Sequence, residues 1–204
     1  MNQKIDYSKL KVPFLDFSFI HNKADEIRTN NYRNKIPIEA DLISEKLGFE
    51  IIPVPYLYRN IHNDAFLAEK EKSIFIDSER YFETSYWFRS NFSIAHELGH
   101  FYLHQNFASF ESISDYLSFH KMIPEQTSKR LEMQANEFAG RLLVPPQFLK
   151  TEIYNVLTSN YDEDNSFSDL SDKIDYISAK IQSKFEVSKD VIKIRIEKEK
   201  IEIP

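Results

Sequence analysis

Cysteine is absent from the 204 residues, so neither disulfides nor thiolate ligands are available, and any metal site must be built from nitrogen and oxygen donors. Glycine is nearly absent: the chain has 3, and one of them, Gly99, lies inside a histidine motif. A glycine-rich phosphate loop therefore has almost nothing to be built from, which excludes the common nucleotide-binding enzymes. Positive charge is also in deficit, with a net charge of −6 and a pI of about 5.6. That balance disfavours bulk attraction to nucleic acid or to an anionic membrane surface, although it permits a local basic patch. Long apolar runs are missing, and the opening Met-Asn-Gln-Lys-Ile-Asp-Tyr has no apolar signal-peptide core. The expectation is a cytoplasmic, monomeric protein with neither a membrane partner nor direct contact with nucleic acid.

What is present suffices for a sizeable core, since 42% of residues are hydrophobic and 14% aromatic. The expected division is a main domain over residues 1–160 and a small helical appendage over 161–204, separate from it or continuous with it.

The chemistry concentrates in His96-Glu97-Leu98-Gly99-His100. On a helix, residues i and i+4 share a face about 6 Å apart, so both imidazoles reach one ion. Ile94, Leu98, Phe101 and Leu103 make the segment a buried helix. Zinc accepts neutral imidazoles and, in catalytic sites, keeps one position for water; Glu97 is then placed to take that water's proton. A third protein ligand is needed. The version of this motif that continues with glycine at 103 and histidine at 106 is excluded by Leu103 and Asn106. His104 shares the stripe but lies about 12 Å along the axis from His96, which suits a pocket wall or a place behind the ligands.

Downstream, Leu131, Ala135, Phe138 and Leu142 mark the buried side of a second helix, capped by Thr127 or Ser128 and stopped by Pro145-Pro146. Glu132 on the adjoining stripe would complete a His, His, Glu set, and Asn136, one turn on, can hydrogen-bond a ligand imidazole. Glu137 is the rival carboxylate, pointing about 140° away from Glu132 and otherwise read as a solvated charge. His120 is a further candidate nitrogen ligand. An oxyanion donor is sought in His104 or a tyrosine of the 107–126 insert.

The sequence resembles the ImmA/IrrE family of zinc metallopeptidases in several places. They are His-Glu-Leu-Gly-His followed by Leu103-His104, the lead-in Arg89, Phe92, Ile94 and Ala95, and the run Glu132, Ala135, Asn136, Phe138, Ala139, Leu142, Leu143 and Pro145. Residues 36–49 and the segment Phe185, Val187, Ser188 and Arg195 are similar to its outer parts. The resemblance implies an intracellular zinc endopeptidase with a thermolysin-like core, acting on a helix-turn-helix transcriptional repressor. It implies Zn2+ held by His96, His100 and Glu132, with Glu97 as catalytic base. The alternative is a catalytically inactive metal-binding anti-repressor that sequesters a DNA-binding partner.

The expected fold class is α+β, a small sheet packed on metal-binding helices (a zincin-like core) with a C-terminal helical appendage. Helices are expected at Phe17–Tyr32, at Ile38–Leu47 with Pro37 in the first turn and Gly48 closing it, and from the motif to Gln105 or Asn106. Phe49–Val54 reads as an edge strand, residues 56–63 as a connection, and Asp64–Ala68 with Ser73–Asp77 as a hairpin. Residues 73–77 are a candidate shelf for an extended substrate, with an ordinary strand as the favoured alternative. The insert 107–126 lies across the site as a loop or short helix and is a candidate lid. Then follow a helix over Gln147–Ser159, an exposed acidic loop over 160–169, and a helix from Ile174 to Phe185. A helix or strand is expected over Val191–Ile196, and an edge strand or frayed end in the tail. The last helical pair reads as a packing appendage in preference to a truncated helix-turn-helix.

Overall fold

Local sequence decides where the helices start and stop. Asp16 accepts from the Ser18 amide (2.7 Å), and Asp169 and Ser188 cap two later helices in the same way, at Asp172 and Val191. The computed structural model describes residues 7–68, 72–104, 110, 113–159, 167 and 169–203. The elements are α1 (Phe17–Asn31), α2 (Ala40–Lys46), β1 (Glu50–Val54), α3 (Leu57–Ile61), β2 (Ala65–Ala68), β3 (Ser73–Asp77) and α4 (Ser78–Tyr81). They continue with α5 (Trp87–Leu103), α6 (Ile113–Met122), α7 (Glu125–Leu143), α8 (Pro146–Ser159), α9 (Leu170–Phe185) and α10 (Lys189–Lys198). The class is α+β, mostly helical with one small sheet. Among the described residues no helix is long and apolar enough to cross a membrane.

The strand order is β1-β3-β2, with β1 parallel to β3 (Glu50 beside Ser73) and β2 antiparallel to β3 (Ala65 beside Ile76). The hairpin and the edge position of β1 therefore follow the sequence reading. The substrate shelf does not: β3 is the central strand and its backbone groups are used on both sides. The two edges are β1 and β2, and the residues of β2 are buried. The Asp77 amide donates to the Asp64 carbonyl (2.8 Å), so residue pairs 64·77, 66·75 and 68·73 exchange the ladder bonds. The backbone groups of Ala65 and Leu67 then point away from the sheet.

Several boundaries differ. The second helix begins at Ala40, because buried Asn91 accepts from the Ala40 amide (2.8 Å) and donates to the Ile38 carbonyl (2.9 Å), pinning the lead-in against α5 with Glu39 extended. Residues 56–63 contain the short helix α3. The motif helix stops at Leu103, α7 starts at Glu125, and residues 191–196 are helical. The described tail carries no strand. Of the acidic stretch 160–169 only 167 and 169 fall among the described residues, so the loop expected there lies outside them, as do residues 105–109, 111 and 112 of the insert.

The main core joins Ile94 and Leu98 of α5, Phe138 and Leu142 of α7, Ile74 and Ile76 of β3 and, from the C-terminal helices, Ile177, Ile181, Phe185, Ile192 and Ile196. A second cluster gathers Phe66, Phe110, Tyr116, Phe119, Ile123 and Leu131 beneath α6. Helices α5 and α7 cross closely because Gly99 has no side chain: a Cβ there would meet the Ala135 backbone at 3.1 Å and the Phe138 ring at 3.2 Å.

Candidate metal centre

The α5–α7 crossing brings the motif histidines against the acid chosen from the second helix. His96 Nε2 and His100 Nε2 lie 2.9 Å apart, and the Glu132 carboxylate reaches them at 3.2 Å and 3.6 Å respectively. All three donor atoms fall within 4.8 Å of one another, the one such group among the described residues. Donors at about 2.0–2.1 Å from a tetrahedral zinc sit about 3.3 Å apart, so the observed spacing fits one ion. Asn136 turns its side-chain oxygen to His96 Nδ1 (2.9 Å). An amide oxygen only accepts, so His96 donates from Nδ1 and keeps the Nε2 lone pair for the cluster.

The electrostatics ask for a cation at the same point. Burial disfavours an ionised Glu132, yet its polar contact with His96 and the fields of His100 and His96 hold it down to about 2. Burial also opposes charge on His96, but Glu132 and Glu97 outweigh it and raise that imidazole's pKa. His100 is pushed well down, by burial and then by His96. A carboxylate this acidic beside two imidazole nitrogens is a donor set suited to a divalent ion of borderline softness.

Glu97 is 5% exposed and sits beneath β2, where the Leu67 amide donates to it. Burial first, with Glu132 adding to it against His96 and Leu67, pushes its carboxyl up to about 7. A cavity of about 30 Å³ lies beside it, walled by His100, Glu132, Asn63, Tyr116 and His120, with room for roughly one or two waters. Tyr116 accepts from Asn63 Nδ2 (2.6 Å). His120 lines this cavity but does not join the three donors.

His104 is 2% exposed and packs behind His100, Nδ1 to Nδ1 at 3.0 Å, with its Nε2 on Gln134 Oε1 at 2.8 Å. Both ring nitrogens are committed, so His104 does not supply the oxyanion donor. Glu137 points away from the metal cluster as its angular offset requires. It is not a solvated charge, however: it is 5% exposed and pairs with Arg195 (2.5 Å) and His21 (2.6 Å). The sequence reading missed Gln134, Asn63 and Asn91. Gln134 left a signal, a polar residue between Leu131 and Ala135 on the buried side of α7; Asn63, in a connection, left none.

A groove of about 630 Å³ opens on the other side of Glu132 and Asn136, between α7 and α10, with Phe92, Met133 and Ile194 in its walls. The sequence pattern of the peptidase family M78, described as an IrrE N-terminal-like domain, matches residues 85–197, more than half of the chain, from the start of α5 into α10. No curated protein matches the sequence.

Proposed function

The chain belongs to the M78 peptidase family, a family of metallopeptidase type, through its IrrE N-terminal-like domain, and from that premise we propose that it is a zinc-dependent endopeptidase of the gluzincin kind with a zincin-like core. The observation that carries the reading is the convergence of His96, His100 and Glu132 beside a buried Glu97. Zinc, when bound by those three residues, supplies a Lewis acid that polarises the scissile carbonyl and lowers the pKa of water from 15.7 towards about 7. Glu97, with a pKa near that of its working pH, takes the proton of the attacking water and delivers it to the leaving amide nitrogen. Tyr116 and His120, facing the cavity, are the donors available to the developing oxyanion. The substrate class is a helix-turn-helix transcriptional repressor, and the protein acts in the cytoplasm as a regulator of transcription.

A specific observation favours a second reading. The cavity beside Glu97 is too small for a peptide, which suits a metal-binding anti-repressor that sequesters its partner without cutting it. One experiment separates them: the zinc-loaded protein is incubated with a helix-turn-helix repressor, with and without chelator. A chelator-sensitive cut, lost in Glu97→Gln while that variant still binds one zinc, is the expected result. Cleavage retained by Glu97→Gln overturns the mechanism, and a stable uncut complex supports the second reading.

A further inference from the structure

Behind His100 runs a chain of hydrogen bonds that ends on a backbone carbonyl 121 residues away in sequence from its amide donor. His100 Nδ1 lies 3.0 Å from His104 Nδ1, His104 Nε2 lies 2.8 Å from Gln134 Oε1, and Gln134 Nε2 donates to the Pro13 carbonyl at 3.1 Å. Gln134 is fully buried and His104 is 2% exposed, so water cannot replace either partner of the bond between them. The direction of the whole chain follows from its far end. A carbonyl only accepts, so Gln134 must turn its NH2 to Pro13 and its oxygen to His104. Reversing the amide would set two oxygens against each other. His104, facing an oxygen, carries its proton on Nε2, and as a neutral imidazole it offers a lone pair at Nδ1. His100 can meet that lone pair only by donating from its own Nδ1. Its Nε2, on the side of His96 and Glu132, is then left unprotonated.

We propose that Gln134 is a positioning residue of the metal centre: anchored on the Pro13 carbonyl, it sets the tautomer of His104 and, through it, that of His100, so that His100 presents a bare Nε2 to the ion. The proposal rests on the reading of His96, His100 and Glu132 as a metal centre and is independent of whether the protein cleaves anything. It also gives the lead-in before α1 a role at the site, since Pro13 precedes the first long helix by a few residues. Asn136 does for His96 in one step what Gln134 does for His100 in two.

The test uses the whole chain and zinc alone as the probe. Long-range ¹H–¹⁵N correlation spectra of the zinc-free wild type should show His104 protonated on Nε2 and His100 on Nδ1. Gln134→Leu, which removes the acceptor, should mix the tautomers of both rings and weaken zinc binding by roughly 10–100-fold. Gln134→Glu keeps an oxygen facing His104 and, as a buried neutral carboxyl, can still donate an O–H to the Pro13 carbonyl, so it should restore both the tautomers and the affinity to near wild type. Finding His100 protonated on Nε2 in the wild type overturns the proposal, as does a change in tautomer or in affinity without the other in Gln134→Leu. If Gln134→Leu fails to fold, the wild-type tautomers and the behaviour of Gln134→Glu decide: scrambled rings in a folded Gln134→Glu would refute it. Loss of peptidase activity alone bears on the function proposed above and not on this relay.

Discussion

Glu132 and Glu137 stand five residues apart on one helix and face opposite chemistry. Glu132 meets two imidazoles, whereas Glu137 lies beside the fully buried guanidinium of Arg195, with His21 next to it. Burial acts to raise the Glu137 carboxyl, but His21 and Arg195 hold it down to about 2, against an ordinary 4.5. A carboxyl depressed in the folded state stabilises the fold fully above pH 4.5 and loses that contribution as pH falls towards 2. Glu137→Gln should therefore cost about 3 kcal/mol at pH 7, and its difference from wild type should shrink as pH falls from 4.5 to 2, read by urea unfolding. The sequence separates the two acids because 3.6 residues per turn turns them about 140° apart. It could not name the partner of Glu137, since Arg195 lies 58 residues on and its approach depends on how α10 crosses α7.

At the scale of elements, the metal centre depends on the distance between α5 and α7, and Gly99 sets that distance. The atoms a Cβ would strike there include the backbone of Ala135, which cannot swing aside as a side-chain tip would. Gly99→Val should destabilise the fold by about 1–3 kcal/mol and lower zinc affinity by moving Glu132 from the two histidines. Thermal unfolding and a zinc titration read the two effects. Helices with a strong apolar stripe, such as α5 and α7, were legible in the sequence because their periodicity is local. Sheet order was not. The run Ser73–Asp77 looks the same whether it lies at an edge or in the centre, and the parallel pairing with β1 that centres it is a long-range choice. The start of α2 was hidden for a similar reason, since Asn91 acts on it from another element.

At the scale of the molecule, α9 and α10 share the principal core: Ile177, Ile181, Phe185, Ile192 and Ile196 are buried with residues of α5 and α7. Truncation after Ser159 would expose that apolar face, and the remaining chain should be protease-sensitive, with a lost near-ultraviolet dichroism signal, where an independent appendage would leave a folded remainder. The ion joins the same account. Glu132 belongs to the helix that carries Leu131, Ala135, Phe138 and Leu142 of the buried interior, so an unfolded chain cannot hold the three donors together. Each tenfold rise of free metal above the dissociation constant then adds about 1.4 kcal/mol to the work of unfolding. The lifetime of this protein in the presence of degradative machinery would track metal supply: starvation would thin its population before any regulator acted on it.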